Sequence, residues 1–589
     1  MIRLSASRPA RRTCSFGAVA AAAALLAACG TPVPATDSRA AASTPAATAP
    51  APGARPRITK AADLPRFTYP LKGKVEDVVR SKEAFAAFAA PLRRDTEAVL
   101  QGYDIADKSV QRDLLTRLAI LDYLDGRYDA TLARLQQVRD LEEKPADRLT
   151  SGLRLRAVAT AARQQAPGSA AHAQATAAAL DQLLAALPYD VTGNTIRELK
   201  AGAELAGEGR ILGRLREVLQ PLVDTNGGLT HDTAPDLVVA RYALTTALPL
   251  KPVWVAGFSR WLEQHQVVKP DIWAARNVSL PAAGPYTPVR VAVWDSGVDT
   301  ALFGAQVLRG ADGRPAVIGF DRYGKPSDTE LQPLPPEVRA RLPLMTARTK
   351  GFSDLQSNVE SPEAAEVKQW MSSLAPERYR VEIEELGLMG NFEHGTHVAG
   401  ITLDGNPHAR LVVARIEFGH TLKPDPCPSK ELSLLDARNS KTTVEFLERH
   451  GVRVVNMSWG GSVGSVEAEL EQCGVGATPE ARKTLARELY DIGKKALTEA
   501  MASAPGILFI AAAGNENQDS AFAESMPADI VLPNLLTVGA VDQAGDEAGF
   551  TSYGPTVKLH ANGYQVESYL PGGKRVALSG TSMAAPQAA

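Results

Sequence analysis

"VRVAVWDSGVD", residues 289–299, decides the fold. Seven residues run almost without a polar break and end on Asp295, after which Ser-Gly forces a turn. A short apolar run that is not alternating, bounded by turn residues, predicts a strand buried on both faces. Similar runs recur downstream: "ARLVVARI" (409–416), "VRVVNMS" (452–458), "GILFIAAAG" (506–514) and "LLTVGAV" (535–541). Helical stretches such as 479–503 separate them and supply crossovers. The alternation predicts a doubly wound α/β domain with a mostly parallel sheet over 285–589, and in such sheets chemistry gathers at the carboxyl ends of the strands.

Upstream the pattern changes. "LPAAGPYTP" (280–288) reads as a Pro/Gly hinge, and residues 61–275 are rich in Ala, Leu and Arg at helical period. Leu114, Leu118 and Leu121 share one helix face, Gly126 interrupts, Leu132, Leu135 and Val138 resume the period, and Pro145 stops it. This predicts an all-α domain containing a helical hairpin. The stretch 121–145 resembles one tetratricopeptide unit, with Gly126, Tyr128 and Ala130 in matching places; a single unit leaves a repeat stack and a plain helical bundle equally open. Such a domain has three readings, namely binding a protein partner, guarding the neighbouring site or serving as a pro-region.

The first 60 residues read as an address. Arg3, Arg8, Arg11 and Arg12 precede an uncharged stretch, 16–28, too short to span a bilayer, which predicts an export signal over 1–28. "LLAAC", ending at Cys29, resembles the lipobox of bacterial lipoproteins and implies acylation of Cys29, with an ordinary cleavable signal as the alternative. Residues 29–60 are dominated by Ala, Pro, Thr and Ser, a composition that buries no core and suits a tether. The resemblance implies a lipid-anchored protein of the bacterial envelope, the outer membrane favoured. With Cys14 in the signal and Cys29 lipidated, Cys427 and Cys473 remain in an oxidising compartment and are expected to pair; two independent buried thiols are the alternative. With 64 basic and 66 acidic residues, a formal charge of -2, the chain offers no electrostatic reason to bind nucleic acid.

Each motif of the second half has a bland reading by itself. Asp295 could cap a turn, "HGTH" (394–397) could be half a metal site, "AAAGNE" (511–516) an Asn turn and "SGTSMAAP" (579–586) a capped helix start. A zinc helix wants Glu after its first His, and Gly395 stands there. Together, Asp…His…Ser is one of the chain orders in which a nucleophilic serine is built. "VAVWDSGVD", "HGTHVAG", "VVNMSWGG", "AAAGNE", "TVGAVD", "SYGP" and "SGTSMAAP" resemble, in order, the signature blocks of the subtilisin-like serine proteases. The resemblance implies a serine endopeptidase acting on protein or peptide substrates. Ser582 would be the nucleophile, His394 the base and Asp295 its orienting carboxylate, with His397 structural. It further implies Asn515 as oxyanion donor and Ser458, Trp459 and Gly460 as the segment that pairs with substrate backbone, Trp459 narrowing a subsite. No cofactor is required; calcium steadies many members, yet no ligand set, for calcium or another metal, can be assigned by position. The competing reading is a catalytically dead protease-like domain in a lipid-anchored helical scaffold, against which the retention of Asp295, His394, Asn515 and Ser582 argues.

Three departures from the family pattern stand out. Asp295 and His394 lie 99 positions apart, implying an insertion that contains "SPEAAEVKQWMSSL" (361–374) and is expected to pack on the rim of the cleft, with a lid as the alternative. A second enlargement, 420–480, holds both remaining cysteines. Asn562 of "HANG" (560–563) stands where the family has proline. The helix expected behind Ser582 has only Met583 to Ala589 to form it, from which the sequence is read as ending short of a complete domain.

Overall fold

The structure, a computed structural model, describes residues 55–265 and 267–589. The signal segment, Cys29 and most of the tether lie outside the described residues. The tether's expected end at residue 60 needs correction: Arg57 and Ile58 already pair in parallel with Asp104 and Ile105, because Ile58 is apolar enough to be buried.

The first half is helical, as its apolar period requires. α1 (Lys108–Leu124) and α2 (Tyr128–Leu141) form the expected hairpin. Asp107 caps α1 by accepting from the Val110 N–H. One core, including Leu92, Leu118, Ile196, Leu237, Trp254 and Phe258, unites these helices with their neighbours. Two short two-stranded ribbons, Arg57–Ile58 with Asp104–Ile105 and Thr68–Pro70 with Gly228–Thr230, are additions to the expected all-α pattern. α3 (Glu208–Arg214) faces the second half.

The second half carries seven parallel strands: β1 (Val289–Asp295), β2 (Val317–Phe320), β3 (Ala409–Ile416), β4 (Val454–Met457), β5 (Leu508–Ala512), β6 (Leu535–Val541) and β7 (Val557–Asn562). Their spatial order is β7-β6-β5-β4-β1-β3-β2, so the chain turns back between β1 and β4. That is the switch point of a doubly wound sheet, where a crevice opens at the carboxyl ends. Each face is covered by helices. Trp294, Val412, Val455 and Phe509 pack on one face with α7 (Lys430–Arg449), α8 (Val463–Gln472) and α9 (Pro479–Ser503). Val291, Val293 and Val413 pack on the other with α6 (Tyr379–Leu403), while Ile510 and Val538 meet α10 (Thr581–Ala588).

The insertion between Asp295 and His394 does more than pack beside the cleft, since it also reaches the helical half. Its helices α4 (Leu342–Gln356) and α5 (Pro362–Ser372) bury Phe352, Leu355, Val367 and Met371 against Ala201 and Leu205 of the helical half. A Cβ at Gly209 would stand 1.8 Å from the Leu374 carbonyl oxygen, so α3 meets the insertion backbone to backbone. The insertion packs on both halves, Met345 of α4 clustering with Leu388, Met389 and Phe392 of α6 while Phe352 and Val367 meet Ala201 and Leu205, which is why it forms a bridge. Charged contacts add to it: Arg66 forks onto Glu467, and Lys269 reaches Asp542 at 2.6 Å and Asp546 at 2.8 Å. Among the described residues no helix is long and apolar enough to cross a membrane.

Candidate active site

β1 delivers Asp295 to the carboxyl edge of the sheet with no exposure to solvent. Its Oδ1 accepts the Ser296 N–H at 2.7 Å and meets His394 Nδ1 at 2.7 Å. A buried carboxylate at that distance holds the Nδ1–H tautomer, which leaves Nε2 as a lone-pair acceptor. Nε2 is buried and makes no hydrogen bond among the described residues.

α6 can bring His394 that close because Gly395 has no side chain. A Cβ there would lie 2.3 Å from the Gly297 carbonyl oxygen, in the turn that follows β1. The Gly395 N–H donates to Ser296 Oγ at 3.0 Å, and the Asp299 N–H donates to Thr396 Oγ1 at 3.0 Å. The turn and the helix are thereby stitched together on both sides of His394. His397, one turn away from the site, bonds the Val576 carbonyl through Nε2 at 2.9 Å. Burial pushes its imidazole down to about 3, so it stays neutral and structural.

Ser582 is the second residue of α10 and is buried. Its hydroxyl donates to the Ser458 carbonyl at 3.3 Å, while Ser458 Oγ donates back to the Ser582 carbonyl at 3.0 Å. Asn456 Nδ2 donates to Ser458 Oγ at 2.9 Å, making a buried chain from β4 to α10. Asn515 follows β5. Its Oδ1 accepts the Thr581 N–H at 2.8 Å and the Thr581 hydroxyl at 3.0 Å, which fixes the amide beside the Gly580 turn. The structure thus joins Asp295 to His394 directly and clamps Ser582 between Ser458 and the Asn515–Thr581 pair. Ser582 and His394 make no hydrogen bond to each other.

Ser458–Gly460 leaves β4 as an extended segment outside regular structure. Trp459 is buried with its indole edge-on to Trp294, ring centroids 5.4 Å apart. Sequence reasoning missed the supporting residues Asn456, Ser296, Thr396 and Thr581. Their signal was present, since each lies one or two positions from a motif residue, but a lone hydroxyl or amide beside a strand end carries no pattern of its own. Cys427 and Cys473 are joined, with their Cα atoms 6.1 Å apart, and tie the loop after β3 to the end of α8.

A parallel α/β domain with a buried carboxylate–imidazole pair at its switch point and a serine at the start of the facing helix defines the class of protein. Residues 287–589, more than half of the chain, match the model of the subtilase family, and the chain belongs to that family. It is 31% identical over 209 residues to a thermostable alkaline protease of Halalkalibacterium halodurans, covering 34% of this chain and 45% of the relative. It is 33% identical over 199 residues to subtilisin Savinase of Lederbergia lenta, covering 33% of this chain and 60% of the relative. The chain spans about half the length of the curated relatives it matches. A cold adapted subtilisin-like serine proteinase of known structure aligns over 54% of this chain and 81% of its own at 19% identity, with a TM-score of 0.28.

Proposed function

We propose that the protein is a serine endopeptidase whose triad is Asp295, His394 and Ser582. The observation that carries this reading is the 2.7 Å contact of His394 Nδ1 with a carboxylate wholly removed from solvent. A serine hydroxyl is a poor nucleophile at neutral pH, and an imidazole held with Nε2 free can take its proton as the new bond forms. To reach the base, the Ser582 hydroxyl would leave the Ser458 carbonyl to which it now donates. The tetrahedral oxyanion would be met by Asn515 Nδ2 and the N-terminal end of α10. His394 then returns the proton to the leaving amine, and water releases the acyl group by the same route. A substrate strand would lie along Ser458–Gly460. The chemistry needs no cofactor, and calcium has no assigned ligands. A catalytically dead scaffold has no need of the paired Asp295 and His394 and is disfavoured.

The chain is further proposed to be exported and held to the envelope by a lipid on Cys29, its helical half remaining attached to the protease half. Glycine-to-backbone packing at Gly209 and the shared apolar cluster of α4 and α5 support retention over removal as a pro-region. The helical domain remains free on its outer side to meet a protein partner. The test is labelling of full-length protein with a fluorophosphonate probe. Modification of Ser582, lost in Ser582→Ala and in His394→Ala, supports the reading; a folded wild-type protein that takes no label refutes it. Replacing Cys29 by Ala should abolish metabolic labelling with a fatty acid.

A further inference from the structure

A cavity of about 310 Å³ opens next to the residues that flank Asp295 and Ser458, Trp294 and Trp459. It is lined at the ends of four neighbouring strands by Trp294 (β1), Phe320 (β2), Phe418 just past β3 and Trp459 just past β4, the edge of the sheet that carries Asp295 and Ser458. Two of its floor residues are chain neighbours of site residues: Trp294 precedes Asp295 and Trp459 follows Ser458. Because Trp459 belongs to the Ser458–Gly460 segment and lines the cavity, a peptide laid along that segment runs beside one of its walls.

The charges on the walls are one-sided. Asp321, Glu417, Asp425, Asp436 and Glu469 face the cavity against a single guanidinium, Arg322. Most of these carboxylates are already engaged. Asp425 takes Arg322 at 3.4 Å, Glu417 lies 3.7 Å from Arg415, Glu469 is partnered, and Asp321 accepts the N–H groups of Tyr323 and Lys325. Asp436, on the inner side of α7, has no such cation. It is open to solvent through the cavity mouth yet crowded by protein, and that crowding, with no neighbouring charge to offset it, raises its carboxyl to about 6.

We infer that this cavity is a subsite for a cationic side chain of the substrate, with Asp436 as its specificity-determining residue. The inference rests on the proteolytic reading above and adds a substrate class to it. An arginine or lysine fits because its aliphatic stem covers the apolar walls while its charged head reaches the carboxylate. An aliphatic side chain would fill the same space but leave Asp436 desolvated and unpaired. The loop that forms the outer wall, Phe418 to Pro428, is held in place by the Cys427–Cys473 bond, so the subsite has a fixed shape.

The test uses full-length protein and a set of internally quenched peptides that carry arginine or its neutral isostere citrulline at one position at a time on the acyl side of the scissile bond. At one position, kcat/KM for arginine should exceed that for citrulline by tenfold or more, the scale of one charge-assisted contact. In Asp436→Asn that ratio should fall to near one, and Asp436→Glu should restore part of it. Ratios within twofold at every position, or a ratio that survives in Asp436→Asn, would overturn the inference while leaving proteolysis intact. Calorimetric titration of the same peptides into Ser582→Ala protein reads the subsite without turnover. Equal affinity for the arginine and citrulline peptides there also overturns it, whereas absence of cleavage and of Ser582 labelling in wild-type protein counts against the proteolytic reading alone.

Discussion

Ser458 and Ser582 are tied to each other twice: the Ser458 hydroxyl donates to the Ser582 carbonyl at 3.0 Å, and the Ser582 hydroxyl donates to the Ser458 carbonyl at 3.3 Å. The first bond fixes the start of α10 to the end of β4; the second parks the nucleophile. Ser458→Ala removes the first and also strands the Asn456 amide that feeds it. The expected loss is about 1–3 kcal/mol of stability, because buried polar groups are left without partners. Turnover should fall while labelling at Ser582 persists more slowly. Denaturant unfolding and the rate of fluorophosphonate labelling check both halves; an unchanged unfolding midpoint would mean that the bond is not made in solution.

How far the sequence was legible follows from these same elements. β1 and β6 match their apolar runs end to end, because a strand buried on both faces leaves an unbroken signature. The edge strands β2 and β7 went unread: Val317–Phe320 is too short to show a period, and Val557–Asn562 mixes Lys558 and His560 into a half-exposed edge. Asp295, His394 and Ser582 were legible through motif order, whereas the Asn456–Ser458–Ser582 chain was not, since hydrogen bonds between distant residues leave no spacing to detect. The insertion's contact with the helical half was illegible for a related reason. Gly209 reads as a helix breaker in isolation, and only contact with Leu374 reveals it as a point of closest approach. The contact of Trp459 with Trp294, which has the opposite orientation to Asp295 on its strand, was likewise invisible in the sequence.

The Cys427–Cys473 bond closes a loop between positions 46 apart. By the chain-entropy account a loop of that length stabilises by about 4 kcal/mol at most, and 2–4 kcal/mol is typical. The double variant Cys427→Ser/Cys473→Ser should lose stability on this scale, and reduced wild-type protein should match it. Equilibrium unfolding with and without reductant makes the comparison. If reductant leaves the wild-type transition unmoved and free-thiol titration finds both groups, the pairing is wrong.

Arg66 forks onto Glu467 through Nε at 3.0 Å and a terminal nitrogen at 2.8 Å, and both side chains are under a tenth exposed. This joins the segment between the strands Arg57–Ile58 and Thr68–Pro70 of the helical half to α8 of the protease half. Breaking a buried pair leaves the remaining charge without compensation, so Arg66→Met should cost about 3–5 kcal/mol. The double variant Arg66→Met/Glu467→Leu should recover most of that loss, since apolar replacements remove both desolvation penalties. Thermal unfolding of the full chain and a double-mutant cycle read the difference. Equal destabilisation by the single and double changes would show that packing, not the ion pair, is what holds the two halves at this point.

Glu393 sits buried beside His394 on α6, with one carboxyl oxygen accepting the Thr349 hydroxyl of α4 at 2.7 Å and the Thr346 hydroxyl also acting on the carboxyl. Burial raises its carboxyl from 4.5 to about 8. Below pH 4.5 the folded and unfolded chains both hold this proton. Between 4.5 and about 8 the folded chain keeps a proton that the unfolded chain has released, so stability falls as pH rises across that window. Glu471, raised by burial to about 7, acts in the same sense and remains in any Glu393 variant, so only the difference between proteins isolates Glu393. Glu393→Gln keeps the acceptor for Thr349 and removes the ionisation. Its unfolding midpoint should decline less steeply than that of wild type from pH 5 to pH 9, with an advantage on the order of a few kcal/mol at the alkaline end. Midpoints that run parallel across the range would show that water reaches Glu393 and that its carboxyl titrates as an ordinary one.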